Sequence, residues 1–212
     1  MKVILINGSP HPNGCTATAL REVGGALQAS GVESEVFWIG RKAVQGCVAC
    51  GGCANKGKCV WNDNVNEFVD LACAADGFVF GSPVYFAGMN GSMMSFMDRA
   101  FFSALKRPQG SPFLYKPAAA VVSARRAGTT AAIDQMNKYF LHGQMPIISS
   151  RYWNMVHGNT PEEVAQDVEG LQIMRQLGRN MAWFLKLKEA GQAAGIPLPE
   201  QESTRIATNF IR

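Results

Sequence analysis

Short apolar, β-branched runs alternate with longer stretches of helical periodicity along this chain, and no other feature of the sequence restricts the fold as much. Parallel strands are joined by a crossover, usually a helix, so repeated strand–helix–strand units predict a parallel sheet covered on both faces. Residues 2–6 read as a strand buried on both sides, and further strands are expected at 35–39, 77–80, 118–122 and 146–149. Helices are expected at 16–30, from Asp63 or Asn64 to 74, at 92–105 and at 130–141. The run Thr160-Pro161-Glu162-Glu163 supplies a cap, a proline at the first helical position and acids in the first turn, so a last helix is expected from there to about residue 189. Five strands with intervening helices specify an α/β, doubly wound five-stranded parallel sheet with helices on both faces.

The pattern fills residues 1–190 as one domain, with a cysteine-rich loop at 46–60 after the second strand. Residues 191–212 are too apolar for a solvated tail and too late to extend the sheet, so they are read as a C-terminal arm packed on this subunit or a neighbour. The net charge of +4 is mild and the basic residues are scattered, which argues against nucleic acid as a partner. No apolar run reaches membrane-spanning length and Met1 leads straight into a strand, so a cytoplasmic protein without membrane attachment is expected.

In open α/β sheets ligands bind outside the carboxyl ends of the strands, and three loops there carry chemistry. The first, residues 7–16, joins strand one to a helix N-terminus whose amides and dipole favour an anion, with the Ser9 and Thr16 hydroxyls as further donors and His11 as either a ring donor or a solvated loop residue. It lacks both the Gly-x-Gly-x-x-Gly of dinucleotide folds and the lysine of a triphosphate loop, so it suits a single phosphate monoester. The second, residues 81–90, can present backbone amides and the Tyr85 ring to a flat heterocycle. The third, residues 123–130, places Arg125 and Arg126 for an anionic partner, or for a carboxylate such as Asp98 or Asp134. Met89, Met93, Met94 and Met97 are read as packing residues, while Tyr152, Trp153 and His157 suit either a pocket rim or the core.

Four of the six cysteines, Cys47, Cys50, Cys53 and Cys59, fall within thirteen residues. Such spacing lets the sulfurs turn toward one centre, and a cubane [4Fe–4S] cluster offers each thiolate its own iron corner. Structural zinc, which usually takes two separated Cys-x-x-Cys pairs, fits the spacing less well; free or redox-active thiols and disulfides also stay open. Outside this loop, Cys73 is read as a small buried core residue.

The segments GSPHPNGCT at 8–16, the cysteine run at 47–59 with the following Val-Trp-Asn-Asp, GSPVYFAGMNGSMMSFMDR at 81–99 and SARRAGTT at 123–130 together resemble the flavodoxin-like NAD(P)H-dependent FMN reductases, and within them the iron–sulfur flavoproteins. The resemblance covers nearly the whole chain. It implies a flavodoxin-like fold with FMN as cofactor. Ser9, His11, Gly14, Cys15, Thr16 and Ala17 would bind its phosphate, and Pro83, Val84, Tyr85 and Phe86 its ring, with Ser123, Arg125 and Gly128 alongside. His11 stands where relatives commonly carry arginine, and Cys15 where they commonly carry asparagine. The stretch at 150–158 resembles a large reductase subgroup in which a cluster is not a general feature.

The expected activity is FMN-dependent oxidoreduction. NAD(P)H would pass hydride to the flavin, with no protein side chain required as catalytic acid, and electrons would leave to a quinone, a free flavin or through the cluster. Two other readings are an FMN and [4Fe–4S] electron carrier served by a protein donor, and a zinc or redox-sensor protein on the same scaffold. Because the cysteine loop follows strand two, its approach to a flavin at the strand-one/strand-three crevice calls for a neighbouring subunit, hence a homodimer or homotetramer.

Overall fold

The computed structural model describes residues 1–54, 56–202, 206 and 208. Strand β1 (Lys2–Asn7) leads to helix α1 (Cys15–Ala29), then to β2 (Glu33–Trp38), the cysteine loop and α2 (Asn64–Ala74). Next come β3 (Gly77–Tyr85), the short β4 (Gly88–Met89), α3 (Gly91–Ala104), β5 (Ala118–Ala124), α4 (Thr129–His142) and β6 (Met155–His157). The chain continues through α5 (Pro161–Val164) and α6 (Val168–Ala193). The sheet runs β2-β1-β3-β5-β6 with every neighbour parallel, while β4 turns back antiparallel on β3 off this path. Leaving β4 aside, that is the strand order of a flavodoxin-like doubly wound fold, in which the winding reverses between β1 and β3.

The period of two in the strands sorts their side chains onto the two faces. Ile4, Ile6, Phe78, Phe80, Ala118, Ala120 and Val122 point to one core, with residues of α2, α3 and α4. Val3, Leu5, Val79, Ala119 and Val121 point to the other, against α1 and α6. Both faces are therefore dry, which is why β1 reads as an unbroken apolar run. The first core is built of phenylalanines: Phe68 of α2 lies within 5.1–6.1 Å, ring to ring, of Phe37, Phe78, Phe80, Phe96 and Phe113. Met89, Met93 and Met97 fill gaps in the same core, as their helical spacing suggests, and Met94 reaches the surface.

Several elements differ from the sequence reading. Residues 146–149 touch the sheet at a single bridge, Ala118 to Ile147, and the outer strand is β6. Pro146 has no N–H to continue a ladder, and residues 150–154 loop outward around the Ser150 hydroxyl, which bonds the Tyr152 carbonyl and the Asn154 side chain. The last helix is two helices. Thr160 caps α5 through Glu163 N–H at 3.3 Å, and Asp167 stops it by capping α6 through Gly170 N–H at 2.9 Å. Strand β3 extends to Tyr85 because it continues to pair, first with β5 as far as Pro83 and then with β4. Cys73 is exposed, its thiol turned to the Val69 carbonyl at 3.6 Å, since it lies on the outer side of α2. The C-terminal arm lies partly outside the described residues; up to Gln201 it rests on its own chain, Pro199 accepting from the Tyr115 hydroxyl at 3.2 Å.

Candidate functional site

A cleft of about 680 Å³ opens at the carboxyl ends of β1, β3 and β5, within the range of small-molecule and cofactor sites. Its floor is the loop between β1 and α1. That loop is fixed from all sides by hydrogen bonds that the sequence alone did not reveal. Asn7 accepts from Ser9 N–H at 3.0 Å, and the Ser9 hydroxyl accepts from His11 N–H at 3.1 Å. The Trp38 indole donates to the Ser9 carbonyl at 2.8 Å, Arg41 Nε donates to the Pro10 carbonyl at 3.1 Å, and Asn90 Nδ2 donates to the Gly8 carbonyl at 2.7 Å. Gly8 packs so tightly against Met93 and the Gly81 carbonyl that a Cβ would come within 2.7 Å and 2.9 Å of them.

Helix α1 starts at this loop with Gly14 as its cap residue, no side chain bonded to its first amides and no acid in its first turn. Its positive end is left for an anion from outside. Thr16 and Ser123 share a hydrogen bond of 2.8 Å between their hydroxyls, linking the first and third loops beneath the cleft. Cys15 turns its thiol to the Gly158 carbonyl at 3.7 Å; burial, aided by Glu163 and Glu162, pushes that thiol above its ordinary range. It is therefore a neutral wall residue whose backbone faces the loop.

Of the residues expected here, Ser9, His11, Gly14, Cys15, Thr16, Pro83, Val84, Tyr85, Ser123 and Arg125 line the cleft. Ala17, Phe86 and Gly128 do not. Ala17 is buried in the first turn of α1. Phe86 is fully exposed at the tip of the β3–β4 turn. Gly128, at φ 94°, lies beneath that turn, where a Cβ would come within 2.6 Å of Ala87. Its role is to let the second and third loops meet. Arg41, Asn13 and the segment 158–161 line the cleft without having been singled out from the sequence. Asn13 lay inside a loop already marked; Arg41 carries no local motif, and the helix-start signal at Thr160-Pro161 says nothing of the cleft that the 158–161 turn reaches from a distant part of the chain. Tyr152 and Trp153 pack edge to face on one another, exposed and away from the cleft. Asp98 accepts from the Tyr139 hydroxyl rather than pairing with Arg125 or Arg126.

A second, smaller cavity lies in the cysteine loop. Cys47, Cys50, Cys53 and Cys59 all line it, with Trp61 and with Arg99 and Phe102 of α3. The sulfurs are near enough to act on one another: burial first, then Cys59, Cys47 and Cys50, push the Cys53 thiol up. Among the described residues, no three His, Cys, Asp or Glu side chains are placed as ligands of one metal ion. Arg99 is 2% exposed and bonds Asp63 through both terminal nitrogens, at 2.7 and 2.9 Å. Burial alone would lower its pKa, but the bonds to Asp63 and Cys59 outweigh that and hold it above the usual value. Asp63 is also the N-cap of α2, so the cavity wall and the start of that helix are one construction.

The fold and the placement of the cleft define a flavodoxin-like protein. The chain belongs to the NADPH-dependent FMN reductase family, whose profile matches residues 1–160. It is 33% identical over 196 residues to the iron-sulfur flavoprotein MJ1083 of Methanocaldococcus jannaschii, with 88% of this chain and 98% of that protein covered. Among solved structures it resembles RosB, crystallised with an 8-demethyl-8-formylriboflavin-5'-phosphate intermediate, at a TM-score of 0.69 and 12% identity, covering 100% of this chain and 93% of that one. It also resembles an archaeal flavodoxin at a TM-score of 0.58 and 17% identity, covering 88% and 99%. At such identities the two structures speak for the fold alone. No helix among the described residues is long and apolar enough to cross a membrane.

Proposed function

We propose that the chain is an FMN-dependent oxidoreductase that draws hydride from NAD(P)H and delivers electrons to a small acceptor or through a [4Fe–4S] cluster held by Cys47, Cys50, Cys53 and Cys59. The observation that carries the reading is the cleft: an uncompensated helix N-terminus at its floor and the half-exposed Tyr85 on its wall, at the carboxyl ends of the central strands. The amides at the start of α1, with Ser9 and His11, would hold the FMN phosphate, and Pro83, Val84 and Tyr85 would position the ring beside Ser123 and Arg125. Bound flavin supplies the two-electron chemistry, and the chain supplies orientation and a fixed electrostatic field. Family membership and the iron-sulfur flavoprotein relatives support this reading.

The donor set of the second cavity fits a cluster. A cubane takes its four thiolates at four separate iron corners, whereas zinc needs its sulfurs about 2.3 Å from one point. Four cysteines around one cavity offer the separate thiolates that the first requirement asks for. Arg99 lies nine residues beyond Asn90, which ties the start of α3 to the floor of the cleft. At the α-helical rise that is about 13 Å along α3. A homodimer or homotetramer that lays one subunit's cysteine loop over another's cleft would shorten the electron path.

The test is one anaerobic preparation assayed for FMN, iron and acid-labile sulfide per chain, then for NADH and NADPH oxidation. FMN with iron and sulfide near four each, and turnover with a nicotinamide, is the expected result. FMN without iron or sulfide removes the cluster and leaves a flavin reductase. Both cofactors without nicotinamide turnover would make the chain an electron carrier, and absence of FMN would overturn the reading.

A further inference from the structure

We infer that Arg99 and Asp63 set the reduction potential of the cysteine site in opposite directions, Arg99 by donating its Nε–H to the sulfur of Cys59. The inference rests on the proposal that the four thiols hold a cluster. An arginine has five N–H donors, and here all five are used. Nε donates to Cys59 Sγ at 3.2 Å. One terminal nitrogen donates to Asp63 at 2.7 Å and the Gln45 carbonyl at 3.3 Å, the other to Asp63 at 2.9 Å and the Trp61 carbonyl at 3.5 Å. The Trp61 ring covers the guanidinium, 5.0 Å from its carbon to the ring centroid. Among the described residues, Cys59 is the one thiol of the four to receive a side-chain donor.

Four of these bonds hold the loop, which a structural clamp would explain. The fifth is the one a clamp does not require. The planar arginine fork holds both Asp63 carboxylate oxygens with its terminal nitrogens and turns a separate N–H, that of Nε, to the sulfur. When a cluster accepts one electron, negative charge grows on its thiolate sulfurs. A charge-assisted N–H at one of them stabilises the reduced form more than the oxidised form. The Asp63 carboxylate faces the same guanidinium and offsets its charge, so it acts in the opposite sense. Cys59 itself is anchored independently: the Asn66 side chain accepts from its N–H at 2.8 Å and donates to its carbonyl at 2.9 Å. Replacing Arg99 therefore removes the donor while the cysteine backbone keeps its ties.

The experiment is an anaerobic potentiometric titration of the flavin- and cluster-loaded protein with dithionite, following the reduced cluster by electron paramagnetic resonance, in wild type, Arg99→Met and Asp63→Asn. Iron and sulfide are measured on each. The expected result is a more negative cluster midpoint in Arg99→Met and a more positive one in Asp63→Asn, with the flavin midpoint unmoved in both. If only one variant retains iron, the sign of its shift decides. Unshifted midpoints, shifts of the same sign, or loss of iron from both variants while they remain folded would overturn the inference and leave Arg99 a clamp. A wild-type protein without iron and sulfide would instead overturn the cluster reading on which it rests.

Discussion

Arg41 illustrates how one residue outside any motif completes a site. Its Nε–H is spent on the Pro10 carbonyl, and the residue lines the cleft. The first loop itself carries His11 rather than arginine, so Arg41 is, with Arg125, a cation in the cleft available to the phosphate proposed for that loop. A hydrogen bond to a charged group contributes about 1.5–3 kcal/mol, which is roughly a tenfold to hundredfold change in affinity. Arg41→Ala is accordingly expected to weaken FMN binding by about that factor and to leave riboflavin binding unchanged, as read by fluorescence titration. An equal loss for both ligands would show that Arg41 serves only as a strut for the loop.

At the scale of elements, the β3–β4 hairpin turns through Phe86 and Ala87 at φ 49° and 58°, the left-handed pair of a type I′ turn that glycine and asparagine normally fill. Each non-glycine residue there costs about 1–2 kcal/mol. Ala87→Gly is expected to stabilise the protein by about 1 kcal/mol in urea unfolding, since relief at φ 58° exceeds the added chain entropy. No gain would mean that the packing of Ala87 over Gly128 offsets the strain. The cysteine loop has its own tether, Asp70 of α2, which accepts from Lys58 at 2.6 Å and Arg107 at 3.2 Å. The Lys58 hydrogen bond, followed by that from Arg107, holds the Asp70 carboxyl below its usual range. A lowered acid contributes stability above pH 3.8, its model-peptide value, and loses it as the pH falls through the folded pKa. The pair is half exposed, so screening keeps the effect to about 0.2–1 kcal/mol. The difference between wild type and Asp70→Asn is therefore expected to be present at neutral pH and to vanish below pH 3.8 in thermal melts; a difference that persists in acid would assign it to packing.

The whole molecule depends on two cores of different character. The α1/α6 side is aliphatic and closes tightly: a Cβ on Gly178 would come within 2.7 Å of Ala26 and of the Val23 carbonyl. The other side is the phenylalanine group around Phe68, which joins α2 to β3 and α3 beneath the cysteine loop. Phe68→Ala is expected to cost about 3–5 kcal/mol in urea unfolding, the range for removing a buried aromatic ring. Because Asp63 caps the helix that Phe68 anchors, the same variant should also make the buried Cys53 and the half-buried Cys59 react with an alkylating agent faster than in wild type. An unchanged rate would show that the loop is held by the Arg99 network without help from the core.

The sequence by itself determined the parallel, doubly wound class and the two-sided burial, because hydrophobic period is a local rule that β1, β3 and β5 obey residue by residue. It also placed the first loop and the four cysteines, since helix starts and thiol spacing are legible without contacts. Only the tertiary structure decided where the outer strand lies, since both 146–149 and 155–157 reach the same side of β5 and Pro146 weakens the former. It likewise decided that Gly128 supports the neighbouring turn, that Phe86 is not part of the cleft lining, and that Arg41 and Arg99 line the two cavities. Those four assignments turn on which side chains from distant segments meet in space. A periodic pattern specifies the face of an element, whereas the meeting of loops depends on how all the elements pack at once.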